Sequence, residues 1–235
     1  MEPSTPYSEL PVVFLACQVF QGLLEKYLPE ELSRRIIYKD YGLHRVPGQI
    51  RSTLQEVIDG IEEPSLIALG YGLCGNGLAG INAGIHTLLI PCVDDCIAML
   101  LGSHKAYITE FEAVPGTYYL SKGWLESGSH PLKEYGEILE KYGQDNADWI
   151  MDQQYQHYQR LAMVAHSHED LEIYRSQAQA VAEYCSRWGM RYQEILGSDR
   201  YVRRLVEVAQ KVSLADEEFV LIPPGGTVKM EQFLR

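Results

Sequence analysis

The sequence predicts an α/β fold: a three-layer sandwich with a mostly parallel sheet of about seven strands, Rossmann-like in arrangement. Three observations carry this expectation. Short apolar runs of strand length alternate with stretches whose apolar residues recur at helical spacing, the pattern of β-α-β units with right-handed crossovers. Several runs are continuously apolar, as strands buried on both faces are. The chain has 235 residues, 46% hydrophobic and 22% charged. That composition is ordinary for a globular protein, and such a length buries roughly 70–75% of its unfolded surface without staples.

Taken in order, residues 1–10 read as a loose lead-in. The first strand is predicted over 12–16, with Cys17 at its end. Val19, Phe20, Leu23, Leu24 and Tyr27 follow at helical spacing, closed by Leu28-Pro29. A second strand over 35–38 leads into Lys39-Asp40-Tyr41-Gly42-Leu43-His44. Pro47 then suits a helix start, and Ile50, Leu54, Val57, Ile58 and Ile61 make that helix's apolar face. The third strand falls at 65–69, a short helix at 77–83, the fourth strand at 87–90 and a further helix up to Leu101. Residues 103–128, with Pro115-Gly116 and many aromatics, read as a long aromatic loop over the site, since loops of that length tend to be lids or binding loops. Helices follow over 132–142 and 147–159, then a strand over 161–165 and a helix over 170–188 with Ser167 or His168 as cap. A strand over 190–196, a helix over 199–212 capped by Ser198, and a last strand over 219–222 complete the chain. No repeat, low-complexity tract or linker separates the halves, so residues 1–235 are expected to form a single α/β domain.

Charge narrows the function. Asp and Glu number 32 against 20 Lys and Arg, a net charge of −12. Such a surface neither releases counterions from nucleic acid nor pairs with anionic lipid, so neither is expected as a partner. No apolar run reaches the ~18 residues of a spanning helix, and residues 1–10 lack the basic and apolar regions of a signal peptide. The expected location is the cytoplasm, where the five cysteines would stay reduced.

Candidate chemistry gathers on residues 67–103. Two apolar runs there open into cysteine-bearing turns, Gly70-Tyr71-Gly72-Leu73-Cys74-Gly75-Asn76-Gly77 and Pro91-Cys92-Val93-Asp94-Asp95-Cys96. Open α/β sheets bind ligands at the carboxyl ends of their strands. Cys17 ends the first strand, His44 follows the second, Cys74 the third and Cys96 the fourth. Side by side, these thiols and the imidazole would converge on zinc or an iron–sulfur cluster. The inference is topological, because no C-x-x-C or H-x-x-x-H spacing is present; simple packing is the alternative, free cysteine being among the most buried residue types. Cys92 is an auxiliary candidate, and Cys185 belongs to a helix core.

Other readings of the same stretch stay open. Gly75, Asn76 and Gly77 could present amides to an anion at a helix N-terminus, and Gly70 to Gly75 spells G-x-G-x-x-G, a weak string alone. Asp94 and Asp95 could do acid–base work or cap the following helix. Cys96 in that first turn would gain thiolate character as a nucleophile, with His44 as its base. Tyr118, Tyr119 and Trp124 could cover a flat or apolar ligand, or simply pack under the loop.

The strings Tyr71 to Gly77, Asp95-Cys96, Leu101-Gly102-Ser103 and Gly116-Thr117-Tyr118-Tyr119-Leu120-Ser121-Lys122-Gly123-Trp124 resemble the uncharacterised DUF1638 family, known mainly from methanogenic archaea and anaerobic bacteria. The resemblance runs from Val12 to about Gly225. The family's Pro-Arg-x-His-Asp-Cys stands here as Pro91-Cys92-Val93-Asp94-Asp95-Cys96, without the basic residue and the histidine. Its cysteine after the first strand and its His-x-x-Pro are matched by Cys17 and His44-Arg45-Val46-Pro47. The resemblance implies metal binding by Cys17, Cys74, Cys96 and His44. It also implies an association with corrinoid-linked one-carbon metabolism, including methyl transfer, without supplying a reaction.

Three functions follow. The first is a metal-binding protein whose Cys/His site holds zinc or an iron–sulfur cluster and acts on a small-molecule substrate in one-carbon chemistry. The second is a non-catalytic carrier of metal or corrinoid, or a partner that docks on a corrinoid protein. The third is a metal-free enzyme with Cys96 or Cys74 as nucleophile. Neither the metal nor the oligomeric state is legible in the sequence.

Overall fold

Strand β1 (Val12–Cys17) begins the account in a computed structural model, which describes residues 10–45 and 47–234, with the side chains of residues 44, 45 and 47 outside the description. β1 is followed by α1 (Glu30–Ser33), β2 (Ile36–Lys39), α2 (Pro47–Asp59), β3 (Leu66–Gly70), β4 (Thr87–Pro91) and α3 (Cys96–Leu101). Then come α4 (His104–Ala113), β5 (Thr117–Ser121), α5 (Lys122–Ser127), α6 (Pro131–Tyr142), α7 (Gln144–Tyr155), β6 (Arg160–Ala165), α8 (His168–Cys185) and β7 (Arg191–Leu196). α9 (Arg200–Gln210) and β8 (Phe219–Ile222) close the chain.

The fold is mixed α/β with mostly parallel strands, but the expected single sheet of about seven strands is absent. The strands form a five-stranded sheet ordered β2-β1-β3-β4-β8 and a separate three-stranded sheet ordered β5-β6-β7. They belong to two compact units, one of residues up to His104 with Asp199 onward, the other of Lys105–Ser198. The Rossmann-like arrangement is also not found: only four strands of the larger sheet run parallel, and β8 pairs antiparallel with β4.

In the first unit, β3 and β4 are buried at every position, so their unbroken apolar runs record cover on both faces. α2 contributes Ile50, Leu54 and Ile58, all fully buried, at the helical spacing read from the sequence. α9 contributes Tyr201, Val202, Leu205, Val206, Val208 and Ala209. Strand order reverses between β1 and β3: the chain passes from β1 outward to β2, then returns to β3 on β1's other side. That reversal is the place where an open sheet leaves a crevice at its carboxyl edge.

Two expected helices of this unit do not form. Residues 18–27 give only a 3-10 turn at Gln18–Phe20, because Gly22 takes φ +82° and breaks the helical path. Residues 77–80 make turns, with Gly80 at φ +89°, and Asn82 then bridges Thr227. At the start of α9, Asp199 is the boundary residue in place of the expected Ser198, and its side chain makes no capping hydrogen bond.

The second unit corrects the largest misreading. Residues 103–128 are not a loop: they hold α4, β5 and α5. Thr117 to Ser121 has the β-branched and aromatic character that suits a pleated, half-buried surface, and pairs parallel with β6 from Thr117↔Arg160 to Ser121↔Val164. Arg160, almost fully buried, locks the start of all three strands. Its Nε donates to Thr117 Oγ1 at 2.9 Å and its Nη1 to Gln193 Oε1 at 2.9 Å, while Nη2 pairs with Glu110 Oε2 at 2.9 Å. The core gathers Leu120, Met151, Leu161, Met163, Ala178 and Val181. Ser167 does cap α8, accepting from the Asp170 amide at 3.0 Å.

Candidate thiol site at the sheet edge

Three of the predicted ligands meet in the first unit. Cys17 is the last residue of β1, Cys74 lies in the turn after β3, and Cys96 is the first residue of α3 after β4. Parallel pairing brings these strand ends to one edge, with Cys17 opposite Lys39 and Ala16 opposite Gly70. The Cys74 and Cys96 sulfurs stand 3.7 Å apart. A side-chain hydrogen bond links Cys17 to Cys96, and it is the foremost reason the Cys17 thiol is pushed well above its ordinary range, ahead of burial. The Cys74 thiol is raised in the same way, by its hydrogen bond to Cys96, by burial and by the charge Cys96 would carry. Cys96 is thus the hub of three buried thiols.

The local backbone is built for this meeting. The Leu73 amide donates to the Val93 carbonyl at 2.9 Å and the Cys74 amide to the Asp94 carbonyl at 2.8 Å, so the two cysteine turns are tied residue to residue. Gly72 makes the approach possible: a Cβ there would lie 2.8 Å from the Cα of Asp95. Cys74, Gly75 and Asn76 take φ of +50°, +62° and +67°. A cysteine in the left-handed region costs about 1–2 kcal/mol, and such outliers persist where the surroundings impose them.

Asp95 takes the structural role weighed for it. Its carboxylate caps α3, accepting from the Ile97 amide at 2.8 Å, and burial, then the neighbouring Cys96, push its pKa up to about 6. Asp94 is half exposed and lies 3.4 Å from His104 Nε2, so the two acids do not act as a pair. Cys92 turns to the C-terminal segment, its thiol 3.5 Å from the Gln232 carbonyl. The side chain of His44 lies outside the described residues, although its backbone is placed in the 3-10 turn Tyr41–Arg45 after β2.

Other predicted groups fall elsewhere. Gly75 and Asn76 are exposed, while the Gly77 amide is spent on the Cys74 carbonyl at 3.1 Å. No helix begins at Gly77, so the anion-binding reading loses its dipole. Tyr118 and Trp124 pack against the core of the second unit. The Tyr118 ring makes edge contacts with Tyr155 at 5.7 Å and Tyr158 at 5.6 Å, and the Tyr119 ring lies 6.2 Å from that of Tyr107.

Tyr71 was missed by the sequence reading. It follows β3 directly and is fully buried. Burial first, and then Cys17, Cys96 and Cys74, raise its phenol above the ordinary tyrosine range. Its place in the glycine-rich turn, three residues before Cys74, was the one available signal.

The molecule is therefore an α/β protein whose parallel sheet gathers three buried thiols where its strand order reverses. The model of the family described as "Protein of unknown function (DUF1638)" matches residues 38–206, and the chain belongs to that family. No curated protein and no solved structure matches the chain. Among the described residues, no group of three or more His, Cys, Asp or Glu side chains forms a ready metal-holding set. No helix among them is long and apolar enough to cross a membrane.

Proposed function

We propose that the chain is a metal-binding protein whose Cys17, Cys74 and Cys96 hold a thiophilic ion. The observation that carries the reading is the 3.7 Å between the Cys74 and Cys96 sulfurs. Two thiolates on one tetrahedral zinc, with ~2.3 Å bonds, stand about 3.8 Å apart. The pair therefore has the spacing of one edge of a coordination tetrahedron, and Cys17, hydrogen-bonded to Cys96, is the third ligand of the reading. This spacing favours a single ion over a cluster whose cysteines sit on separate irons.

The chain's own groups support the fit. Three buried thiols lose protons when they become ligands, so binding tightens as pH rises. Asp95 fixes the start of α3 and hence Cys96, and the two tied turns fix Cys74. A bound zinc with an open position would supply thiolate or water activation. A small-molecule substrate in corrinoid-linked methyl transfer, with the ion making a thiol nucleophilic, is the reaction class in keeping with the resemblance; carriage of metal or corrinoid without turnover is the other arm. The raised Cys74 thiol weighs against that residue as a metal-free nucleophile, which needs a lowered pKa.

The test is metal and acid-labile sulfide content, with the visible spectrum, of protein purified without oxygen, for wild type and Cys74→Ala. Stoichiometric zinc lost in the variant supports the reading. Iron with sulfide, lost in the variant, replaces the single ion by a cluster. No metal in either form removes it.

A further inference from the structure

We propose that α6 is a self-association surface, through which two copies of the chain pair as an antiparallel, two-fold dimer crossing at Gly136. The surface belongs to the second unit and is independent of the thiol site. α6 packs Tyr135 and Ile138 against the core of that unit. It leaves Leu132 and Leu139 38% and 37% exposed. At about 100° per residue, Leu132, Gly136 and Leu139 fall within about 60° of arc and span two turns. Single exposed leucines are ordinary, but apolar positions at i and i+7 with a small residue at i+4 form a stripe that another helix reads.

Gly136 sets how near that other helix comes. It is exposed in the interior of a 12-residue helix, and a Cβ added there would meet no atom within 4 Å. Packing inside the chain therefore does not call for glycine, although glycine in a helix interior is less favourable than alanine. A second helix crossing at Gly136 supplies the reason, because helix axes separated by about 8–10 Å reach the short end of that range where no side chain intervenes.

Charge identifies the occupant as a second copy. Lys133 and Glu140 are exposed and have the same spacing as the two leucines, so both lie on one flank of the stripe. Neither meets a counter-charge among the described residues. A two-fold axis across the middle of α6 runs the helices antiparallel and keeps both charged flanks on one side of the pair. Lys133 of each copy then faces Glu140 of the other, and Leu132 of each meets Leu139 of the other. The patch is self-complementary, as a two-fold interface requires. A parallel pair would put the two flanks on opposite sides, where the charges never meet. With one helix offered by each copy, the interface lies at the small end of specific contacts, below about 1,200 Å², so the dimer is weak and concentration-dependent.

The experiment is sedimentation equilibrium of the full chain under reducing conditions, from about 1 to 300 μM, a range that spans weak association. It compares wild type, Gly136→Gln, Lys133→Glu, Glu140→Lys and an equimolar mixture of the last two. Wild type is expected to dimerise with a Kd of about 10–100 μM. Gly136→Gln should weaken the dimer at least about tenfold, since its side chain holds the helices apart. Its thermal melt should be no lower than wild type, because the new side chain enters open space and glutamine is the better helix former. Lys133→Glu and Glu140→Lys should each weaken association about tenfold alone, as two attractive pairs become repulsive. Their mixture should recover wild-type affinity, because every facing pair is again of opposite charge. A wild-type chain that stays monomeric throughout overturns the second copy as occupant. A dimer that none of the three variants weakens overturns the assignment to α6. Charge variants that associate like wild type, or that fail to recover when mixed, overturn the antiparallel pairing.

Discussion

Cys185 of the second unit and Cys96 of the first are both buried thiols, yet their surroundings could not differ more. Cys185 lies in α8 among Leu161, Val181 and Met190, and its pKa is pushed up to about 12 by burial alone. Cys96 lies at the sheet edge with two other thiols, and its partners' shifts arise first from hydrogen bonds to it. Burial of a cysteine is uninformative by itself; what separates ligand from core is whether other sulfurs share the burial. The two units also differ in how they fill space. Of the 16 tyrosines, several of the second unit pack around its small three-stranded sheet and donate their hydroxyls to carboxylates, as Tyr155 does to Glu134 at 2.6 Å and Tyr192 to Glu194 at 3.1 Å. A sheet that small needs broad side chains with a polar edge, which accounts for the excess of tyrosine over phenylalanine.

The largest expected effect breaks the comparison directly. Cys96→Ala should abolish bound metal, measured as ion per chain, because the hub of the trio is gone. Cys185→Ala should leave metal content unchanged and cost only stability, about 2 kcal/mol for an unfilled core position. Loss of metal in Cys185→Ala, or its retention in Cys96→Ala, would erase the distinction between the units.

Next in size is a pair of backbone and anchor changes, one in each unit. Arg160→Ala leaves Glu110 without its cation and unties β5 and β7 from β6; a loss of about 3 kcal/mol is expected in denaturant unfolding, with metal content intact. Gly72→Ala drives a methyl to 2.8 Å from the Asp95 backbone and should cost about 1–3 kcal/mol. It should also weaken metal affinity, measured by chelator competition, because the turn carrying Cys74 must move away from Cys96. Equal metal affinity in Gly72→Ala and wild type would show that the tied turns do not set the sulfur spacing.

Much of the first unit was legible because its strands are written as unbroken apolar runs ending in cysteine or glycine. The positions of Cys17, Cys74 and Cys96 after successive strands follow from that rhythm plus parallel pairing. Cys92 and Asp94 could not be sorted from Cys96 by sequence, since one turn sends neighbouring side chains to different environments. Tyr71 was hidden for the opposite reason: a tyrosine in an apolar stretch reads as packing, and only the fold puts it beside three sulfurs. The second unit was misread at β5 because Pro115-Gly116 and Gly123 bracket the strand with breakers. The split into two sheets was also missed, since it depends on which strands pair, and no local pattern records that.

The smallest effect separates the units by acid titration. In the first unit the Asp199 carboxyl is held below its ordinary value, chiefly by the hydrogen bond from the Tyr27 hydroxyl, with Arg203 and Lys26 adding to it. In the second unit the Glu194 carboxyl is lowered by the Arg175 guanidinium, which donates to it at 2.8 and 3.0 Å. A carboxyl lowered by folding contributes stability that is fully present above its unfolded pKa, near 4, and is lost as pH falls through the folded value below it. Asp199→Asn should therefore destabilise the chain by about 0.5–1 kcal/mol at pH 7, the range of partly exposed ion pairs. The difference should shrink as pH drops below about 4 and vanish once the wild-type carboxyl is protonated. Because the leading contribution to Asp199 is a hydrogen bond from a neutral hydroxyl, added salt should leave most of its effect in place. The Glu194 effect depends on a cation and should be screened. Thermal melts of Asp199→Asn and Glu194→Gln at low and high salt decide this: equal salt sensitivity in both would mean that the Tyr27 hydroxyl does not govern Asp199.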